Sequence, residues 1–183
     1  DTDRSRGLGD VYKRQGYEVA GLSVCMFTGH RPKNLPFGYC EDDIRCIKLK
    51  VLLKNLIKEK IVYGGISTFL TGMALGVDIF AAEAVLELRN LYPHVTLTAV
   101  LPCANQTVKW SVGDVVRYNA ILNKCDNVIK LQQHYTNGCM NRRNLYMAKN
   151  SDCCIAVWNG SKGGTGNAVK FALELNLRIT VLD

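Results

Sequence analysis

The stretch at residues 152–158 reads DCCIAVW, an apolar run preceded by a single acidic residue. A continuous apolar run, as opposed to an alternating one, is typical of a strand buried on both faces in a parallel sheet. It leads into the glycine-rich segment NGSKGGTGN at residues 159–167 and then into a segment of helical spacing that ends near residue 175. A buried strand, a glycine-rich turn and a helix in this order predict one unit of a parallel α/β sheet.

The same alternation extends outward along the chain. Further short apolar runs predict strands at residues 22–28, 68–71, 95–101, 127–131 and 178–182, with helical segments over 42–63, 76–91, 108–124 and 139–150. In the first helical segment the apolar residues recur at helical spacing, with lysines between them: Ile44, Ile47, Val51, Leu52, Leu56 and Ile57. We therefore predict a Rossmann-like, doubly wound α/β fold, with a mostly parallel sheet flanked by helices in one domain over residues 21–183.

Composition narrows the class of protein. The chain has 183 residues, of which 48% are apolar and 21% charged, and its formal net charge is +7. These values exclude a disordered protein, a collagen-like chain and a coiled coil. No apolar run approaches the roughly 18 to 20 residues of a membrane helix, so no membrane association is expected. The basic balance suits an anionic partner such as a nucleotide, a nucleic acid or a phosphorylated metabolite, although a solvated basic surface has the same composition.

The first fifteen residues, DTDRSRGLGDVYKRQ, show no helical or strand periodicity. No apolar segment of the kind found in a secretory signal follows them. We interpret residues 1–15 as a leader outside the domain, either foreign to the protein or a disordered arm.

Cysteine spacing indicates the redox environment. The eight cysteines form no Cys-x-x-Cys pair, and no histidine stands at zinc-ligand spacing from any of them. Several lie in apolar runs, where cysteine behaves as a small hydrophobic residue. The sequence thus predicts a reduced, cytoplasmic protein without a structural metal.

Unusual residues follow two of the predicted strands near the start of the chain. Ligands of doubly wound sheets bind at the carboxyl ends of the strands, where loops lead into helices. The first strand ends in TGHRP, in which Gly29 permits a tight turn and Arg31 offers a planar fork for phosphate or carboxylate. The second ends in TGMALGVD, where Gly72 and Gly76 would let a ligand approach the backbone. Asp78 could face a ligand or serve the dipole of the helix that it begins.

Two further clusters lie at the same predicted edge. The segment GSKGGTGN at residues 160–167 resembles a phosphate cradle but fits neither the P-loop nor the dinucleotide fingerprint, and a flexible turn is the alternative. Arg142 and Arg143 stand near a predicted helix start. Their positive charges there oppose the helix dipole, which is unfavourable unless an anion or an acidic side chain lies nearby. Residues 102–106, PCANQ, add amide side chains to this rim.

No hydrolytic apparatus is evident in the sequence. Gly-x-Ser-x-Gly and His-Glu-x-x-His are absent, and no histidine has an obvious nucleophile partner. Asp78 and Glu83 are the plausible acid–base residues, and both have structural explanations. The sequence therefore favours binding over catalysis, and no cofactor is expected.

Five segments together resemble the YpsA-like branch of the SLOG superfamily, whose Rossmann-like domains are related to DprA and to the LOG phosphoribohydrolases. They are FTGHRP at 27–32, TGMALGVDIFAAE at 71–83, PCANQTVKW at 102–110, GCMNRRNLYM at 138–147 and GGTGNAVKFA at 163–172. The resemblance implies a set of ligand-binding positions: Gly29, His30, Arg31, Gly72, Met73, Gly76, Asp78, Arg143, Asn144, Gly163, Gly164 and Thr165.

The resemblance implies that the ligand is a small molecule derived from a nucleotide. It would be ADP-ribose, an NAD derivative or a cyclic nucleotide. The protein would act as a sensor or a sequestering sponge, in bacterial stress, phage defence or anti-defence, and as a homo-oligomer. Lys170 stands near the position of the catalytic glutamate of the LOG enzymes, which argues against phosphoribohydrolase activity. A nucleotide-processing hydrolase of another kind stays open. So does DprA-like binding of single-stranded DNA, for which the Thr71–Asp78 stretch and Arg143-Asn144 are also suited.

Overall fold

The computed structural model describes residues 23–183 of the chain, so the leader predicted at residues 1–15 lies outside the described residues. Six strands form one sheet in which every neighbouring pair is parallel. In chain order they are β1 (Ser23–Gly29), β2 (Ile66–Thr71), β3 (Thr96–Leu101), β4 (Asn127–Lys130), β5 (Cys153–Val157) and β6 (Arg178–Leu182). Over residues 23–183, no helix is both long and apolar enough to cross a membrane.

Helices connect the strands. They are α1 (Ile44–Val62), α2 (Val77–Leu88), α3 (Val112–Leu122), α4 (Cys139–Lys149) and α5 (Gly164–Glu174), and a short turn of 3-10 helix lies at Pro32–Asn34. Two hydrophobic clusters cover the two faces of the sheet, the first with residues of α1, α2 and α3 and the second with residues of α4 and α5. This arrangement confirms the predicted doubly wound α/β fold.

Strand β5 behaves as its apolar run predicts. All five of its residues are buried. Cys153, Ile155 and Val157 belong to the first cluster, whereas Cys154 and Ala156 belong to the second. The strand therefore packs on both faces, which explains why it carries no alternating polar residues.

The strand order β4-β3-β2-β1-β5-β6 contains one reversal of direction. From β1 to β4 each new strand adds on one side, and the chain then crosses back to place β5 on the other side of β1. The connections that leave β1 and β5 consequently run in opposite directions. In open α/β sheets, a crevice opens at the carboxyl ends of two such strands and receives the ligand.

Helix α1 forms as the spacing of its apolar residues predicts, but several of these apolar residues face solvent. Its buried residues are Cys46, Leu53, Ile57 and Ile61, whereas Ile44 is 60% exposed and Leu52 is 56% exposed. The helix has apolar residues on two faces, so the period alone does not determine which face is buried. Packing against α2 and the sheet makes that choice.

Candidate functional site

A polar pair joins the loops that follow β1 and β5. His30 follows β1 directly and is buried, and its Nε2 atom lies 2.9 Å from Oδ1 of Asn159, which follows β5. The backbone N–H of Ser161 also donates to this Oδ1 atom at 3.2 Å, and the backbone N–H of Asn159 donates to His30 Nε2 at 3.4 Å. The pair joins the two loops that flank the point of reversal.

Two predicted site glycines serve backbone packing at this point. A Cβ atom on Gly29 would lie 2.4 Å from Cγ1 of Val77, so glycine is needed where β1 meets the start of α2. Gly76 has φ of 92°, and a Cβ there would lie 2.6 Å from the carbonyl oxygen of His30. The backbone N–H of Val77 donates to the same carbonyl at 3.3 Å. Both glycines let the β1 and β2 loops approach each other.

The turn between β2 and α2 is held by its own side chains. Thr71 Oγ1 accepts the Met73 N–H at 3.1 Å and donates to the Asp78 carbonyl at 3.2 Å. The Ala74 N–H donates to Asp78 Oδ2 at 3.2 Å. Met73 is fully buried with φ of 55°, a left-handed conformation that non-glycine residues adopt rarely. Asp78 thus stabilises a strained turn, which supports the structural alternative for this residue.

Arg143 reaches this turn from α4. Its Nη1 donates to the Gly72 carbonyl, and its Nε donates to Asn144 Oδ1 at 2.8 Å. Nη1 also lies 3.9 Å from Asp78 Oδ2, and only 7% of either side chain is exposed. Burial raises the pKa of Asp78 and lowers the pKa of the Arg143 guanidinium, and the attraction between the two charges opposes both shifts. Arg143 therefore has the acidic neighbour that its position near a helix start requires.

The structure gives a packing reason for the glycine at position 72. A Cβ atom there would lie 1.7 Å from Arg143 Nη1 and 2.3 Å from its Cζ, so the glycine makes room for the guanidinium. Gly72 does not have the positive φ found at Gly76. Glycine at this position thus leaves room for the Arg143 side chain. The residue of this turn with a left-handed backbone conformation is Met73.

The start of α5 completes the edge. Asn144 Nδ2 donates to the Gly164 carbonyl at 3.2 Å, which joins α4 to α5. Among the described residues, no side chain caps this helix at Gly163, and its first turn contains no acidic residue. Within the same residues, a Cβ atom on Gly163 or Gly164 would meet nothing within 4 Å. The first N–H groups of α5 therefore lack a side-chain acceptor and border free volume, the local arrangement that binds anions in many proteins.

Three other charged residues named in the sequence analysis, Arg31, Arg142 and Glu83, lie outside the cluster around Arg143. Arg31 is exposed and reaches across to α4, with Nη2 3.9 Å from Met140 Sδ. Arg142 bonds to Gln132 Oε1 at 2.9 Å and to Thr136, so it does not join the Arg143 cluster. Both carboxylate oxygens of Glu83 accept hydrogen bonds from Arg117, at 2.6 and 2.7 Å.

Two residues outside the predicted ligand-binding positions belong to this edge, and one of them, Gln106, lies in the segment 102–106 that the sequence placed on this rim. Gln106 Nε2 donates to the carbonyls of Met73 at 2.8 Å and Gly72 at 3.3 Å, so it supports the same turn as Arg143. Asn159 is the partner of His30. An amide side chain soon after the end of a buried strand is the sequence signal that both residues share.

Solved structures with a similar fold include two DNA processing proteins. The chain superposes on DNA processing protein A from Helicobacter pylori with a TM-score of 0.60 at 17% identity, covering 88% of this chain and 66% of that one. For the protein from Streptococcus pneumoniae the TM-score is 0.59 at 12% identity, with 88% and 50% covered. The chain thus spans less than two thirds of either protein, and the likeness concerns the fold.

Sequence relatives identify the family. The SPbeta prophage-derived protein YoqJ of Bacillus subtilis is 31% identical over 143 residues, which cover 72% of this chain and 84% of that protein. A UPF0398 protein of Bacillus cereus is 29% identical over 149 residues, with 79% and 78% covered. The sequence model of the YpsA family, described as the YspA SLOG family, matches residues 25–177. The chain therefore belongs to the YpsA SLOG family.

Proposed function

We propose that this protein binds a nucleotide-derived small molecule, of the ADP-ribose, NAD-derived or cyclic nucleotide class, at the carboxyl edge of β1 and β5. It holds the ligand unaltered, as a sensor or a sequestering sponge. The observation that carries the proposal is the juxtaposition of the uncapped start of α5 with the buried guanidinium of Arg143, which Asn144 joins through its bond to Gly164. The family and its DprA-like fold agree with binding of nucleotides or DNA in general.

The geometry favours a phosphate as the group that is recognised. An anion beside Gly163 and Gly164 would accept the free N–H groups of the helix start and gain from the helix dipole. Arg143 uses Nε for Asn144 and Nη1 for the Gly72 carbonyl, and Nη1 also lies 3.9 Å from Asp78, so of its five N–H donors those on Nη2 stay available to a ligand. Arg31 and Lys162 are exposed on loops at the same edge and add positive charge.

Binding without conversion is favoured by the state of the acidic residues. Asp78 is occupied by the Ala74 N–H and by Arg143, and Glu83 by Arg117. A general acid or base needs a proton that it can exchange with the substrate. We therefore expect ADP-ribose recovered from the denatured complex to be chemically unchanged by chromatography. Stoichiometric or catalytic conversion would favour the hydrolase instead.

Binding of single-stranded DNA is the second candidate. The structure from Helicobacter pylori is described as showing a single-stranded DNA binding mode, and this chain shares its fold and has a net charge of +7. DNA affinity resting on six or more phosphate contacts falls roughly 10³-fold or more between 50 and 200 mM salt. Calorimetry should show ADP-ribose binding that survives 200 mM salt and only weak oligonucleotide binding. Tight, salt-sensitive oligonucleotide binding without nucleotide binding would reverse this order.

A matched pair of variants tests the position of the site. Gly164→Asp adds a carboxylate at the first residue of α5, where space is open and a negative charge suits the helix dipole, so the fold should be retained. Repulsion of the ligand phosphate should weaken binding about tenfold or more, a loss of about 1.4 kcal/mol. Val112→Asp makes the same change at the first residue of α3, on an exposed side chain, and should leave the Kd unchanged. If the two variants changed the Kd equally, the ligand would not bind at the start of α5.

The implied homo-oligomer also stays a proposal. Sedimentation velocity of the purified chain, with and without ADP-ribose, distinguishes a monomer from a dimer or a larger assembly.

A further inference from the structure

Two cysteines face each other near the amino ends of β1 and β5. Cys25 and Cys153 are register partners on these neighbouring parallel strands, and both belong to the first hydrophobic cluster. The Cys153 thiol lies across from β1, with Sγ 3.9 Å from the Val24 carbonyl, and Cys25 Sγ lies 3.7 Å from the Met26 carbonyl. Neighbouring strands lie about 4.8 Å apart, within the Cα separation of about 4.4 to 6.8 Å that disulfides span. The two thiols are therefore placed for direct reaction with each other.

The adjoining backbone holds the two strand starts together. The Asp152 N–H donates to the Val24 carbonyl at 2.8 Å, and the Val24 N–H donates to Asp152 Oδ2 at 2.8 Å. This reciprocal pair immediately precedes Cys153 and Cys25 in the chain. It keeps the thiols opposed while they react.

We propose that Cys25 and Cys153 form an oxidation-sensitive dithiol that closes to a disulfide between β1 and β5. The oxidant is hydrogen peroxide. Cys153 sulfur attacks one peroxide oxygen, the O–O bond breaks, and Cys153 becomes a sulfenic acid while water leaves. Cys25 sulfur then displaces the sulfenic hydroxyl, its own proton completes a second water, and the S–S bond forms. The two thiols lose two electrons and two protons, and hydrogen peroxide is reduced to two molecules of water.

The local charges determine the order of the two steps. The neighbouring Cys25 thiol lowers the pKa of Cys153, burial opposes this shift, and the charges of Lys60 and Arg178 add to the lowering. Burial raises the pKa of Cys25 well above its ordinary value. Thiolates are the reactive form of cysteine, so Cys153 is the sulfur that attacks peroxide and Cys25 the one that resolves the sulfenic acid.

The test is oxidation of the purified protein with hydrogen peroxide under native conditions, followed by alkylation of the remaining thiols and peptide mapping without reductant. We expect a cross-linked peptide pair that contains Cys25 and Cys153 and that separates on reduction. All measurements use the Cys40→Ser variant, because Cys40 is exposed and could form disulfides between molecules. This first measurement leaves the buried residues of the core unchanged.

Two variants separate the roles of the sulfurs. Cys25→Ala should leave a sulfenic acid on Cys153 that dimedone traps, and the cross-link should be lost. Cys154→Ala is the matched control, because Cys154 is the next residue along but packs in the second cluster. It should form the cross-link as the parent does. Alkylation of Cys25 and Cys153 as free thiols after peroxide treatment, or a disulfide that joins either of them to another cysteine, would overturn the proposal.

Discussion

Replacing Gly72 with alanine tests the central contact of the candidate site. The added Cβ would lie 1.7 Å from Arg143 Nη1, 2.3 Å from Cζ and 2.8 Å from Asp78 Oδ2. Separations below 3.0 Å do not occur for real Cβ atoms, so one of these groups must move. The Arg143 side chain is the group that can do so, because the other positions are fixed by the β2–α2 turn.

The cost follows from what Arg143 leaves behind. The Gly72 carbonyl loses a hydrogen bond from a charged donor, a contribution of about 1.5 to 3 kcal/mol. Asp78 loses its buried counter-charge, and breaking such a pair costs about 3 to 5 kcal/mol. These two losses overlap because they share one guanidinium. We therefore expect Gly72→Ala to lower the free energy of unfolding by about 3 to 5 kcal/mol.

A double-mutant cycle isolates the clash. Arg143→Ala alone should cost a similar amount, since it also leaves Asp78 without its partner, but it opens the space next to position 72. Gly72→Ala in that background should then add about 1 kcal/mol or less, a strong departure from additivity. Urea unfolding of the four proteins, with slopes and midpoints compared, measures the coupling. Additivity within about 0.5 kcal/mol would refute the packing explanation for Gly72.

Three further predictions concern pH, backbone conformation and the leader. Burial raises the pKa of Glu41, but hydrogen bonds from Arg117 and Lys50 outweigh it and hold the pKa below its ordinary value. The folded state therefore binds this proton more weakly than the unfolded chain, so the stabilisation is present above about pH 4.5 and disappears as the pH falls. In urea unfolding, the stability difference between the parent and Glu41→Gln should shrink below about pH 4, and a constant difference would contradict this. Asn176 is exposed with φ of 58° just after α5, so Asn176→Gly should raise the unfolding free energy by up to about 1 kcal/mol, and Asn176→Ala should lower it. Deleting residues 1–15 should leave the Tm within about a degree if they are a foreign leader, and a drop of several degrees would show that they pack on the domain.

Much of the fold was predictable because it rests on local patterns. Strand β6 begins and ends where its apolar run does, and the other strands and helices agree with their predicted ranges within a few residues. The continuous run at β5 correctly indicates burial on both faces. Such features depend on residues near one another in the chain, and sequence patterns record them directly.

The sequence by itself therefore determined the order and type of the elements, the parallel sheet and the edge at which polar residues gather. Only the tertiary structure decided that β5 lies beside β1, that Arg143 and not Arg142 reaches the Gly72 carbonyl, and that Glu83 is committed to Arg117. It also chose the buried face of α1, a helix with apolar residues on two faces. Gly72 and Arg143 are 71 residues apart, so their contact has no local signature. Side chains so distant in the chain become neighbours only when the sheet assembles and the helices pack, because burial and charge pairing then select among arrangements that the local pattern leaves equivalent.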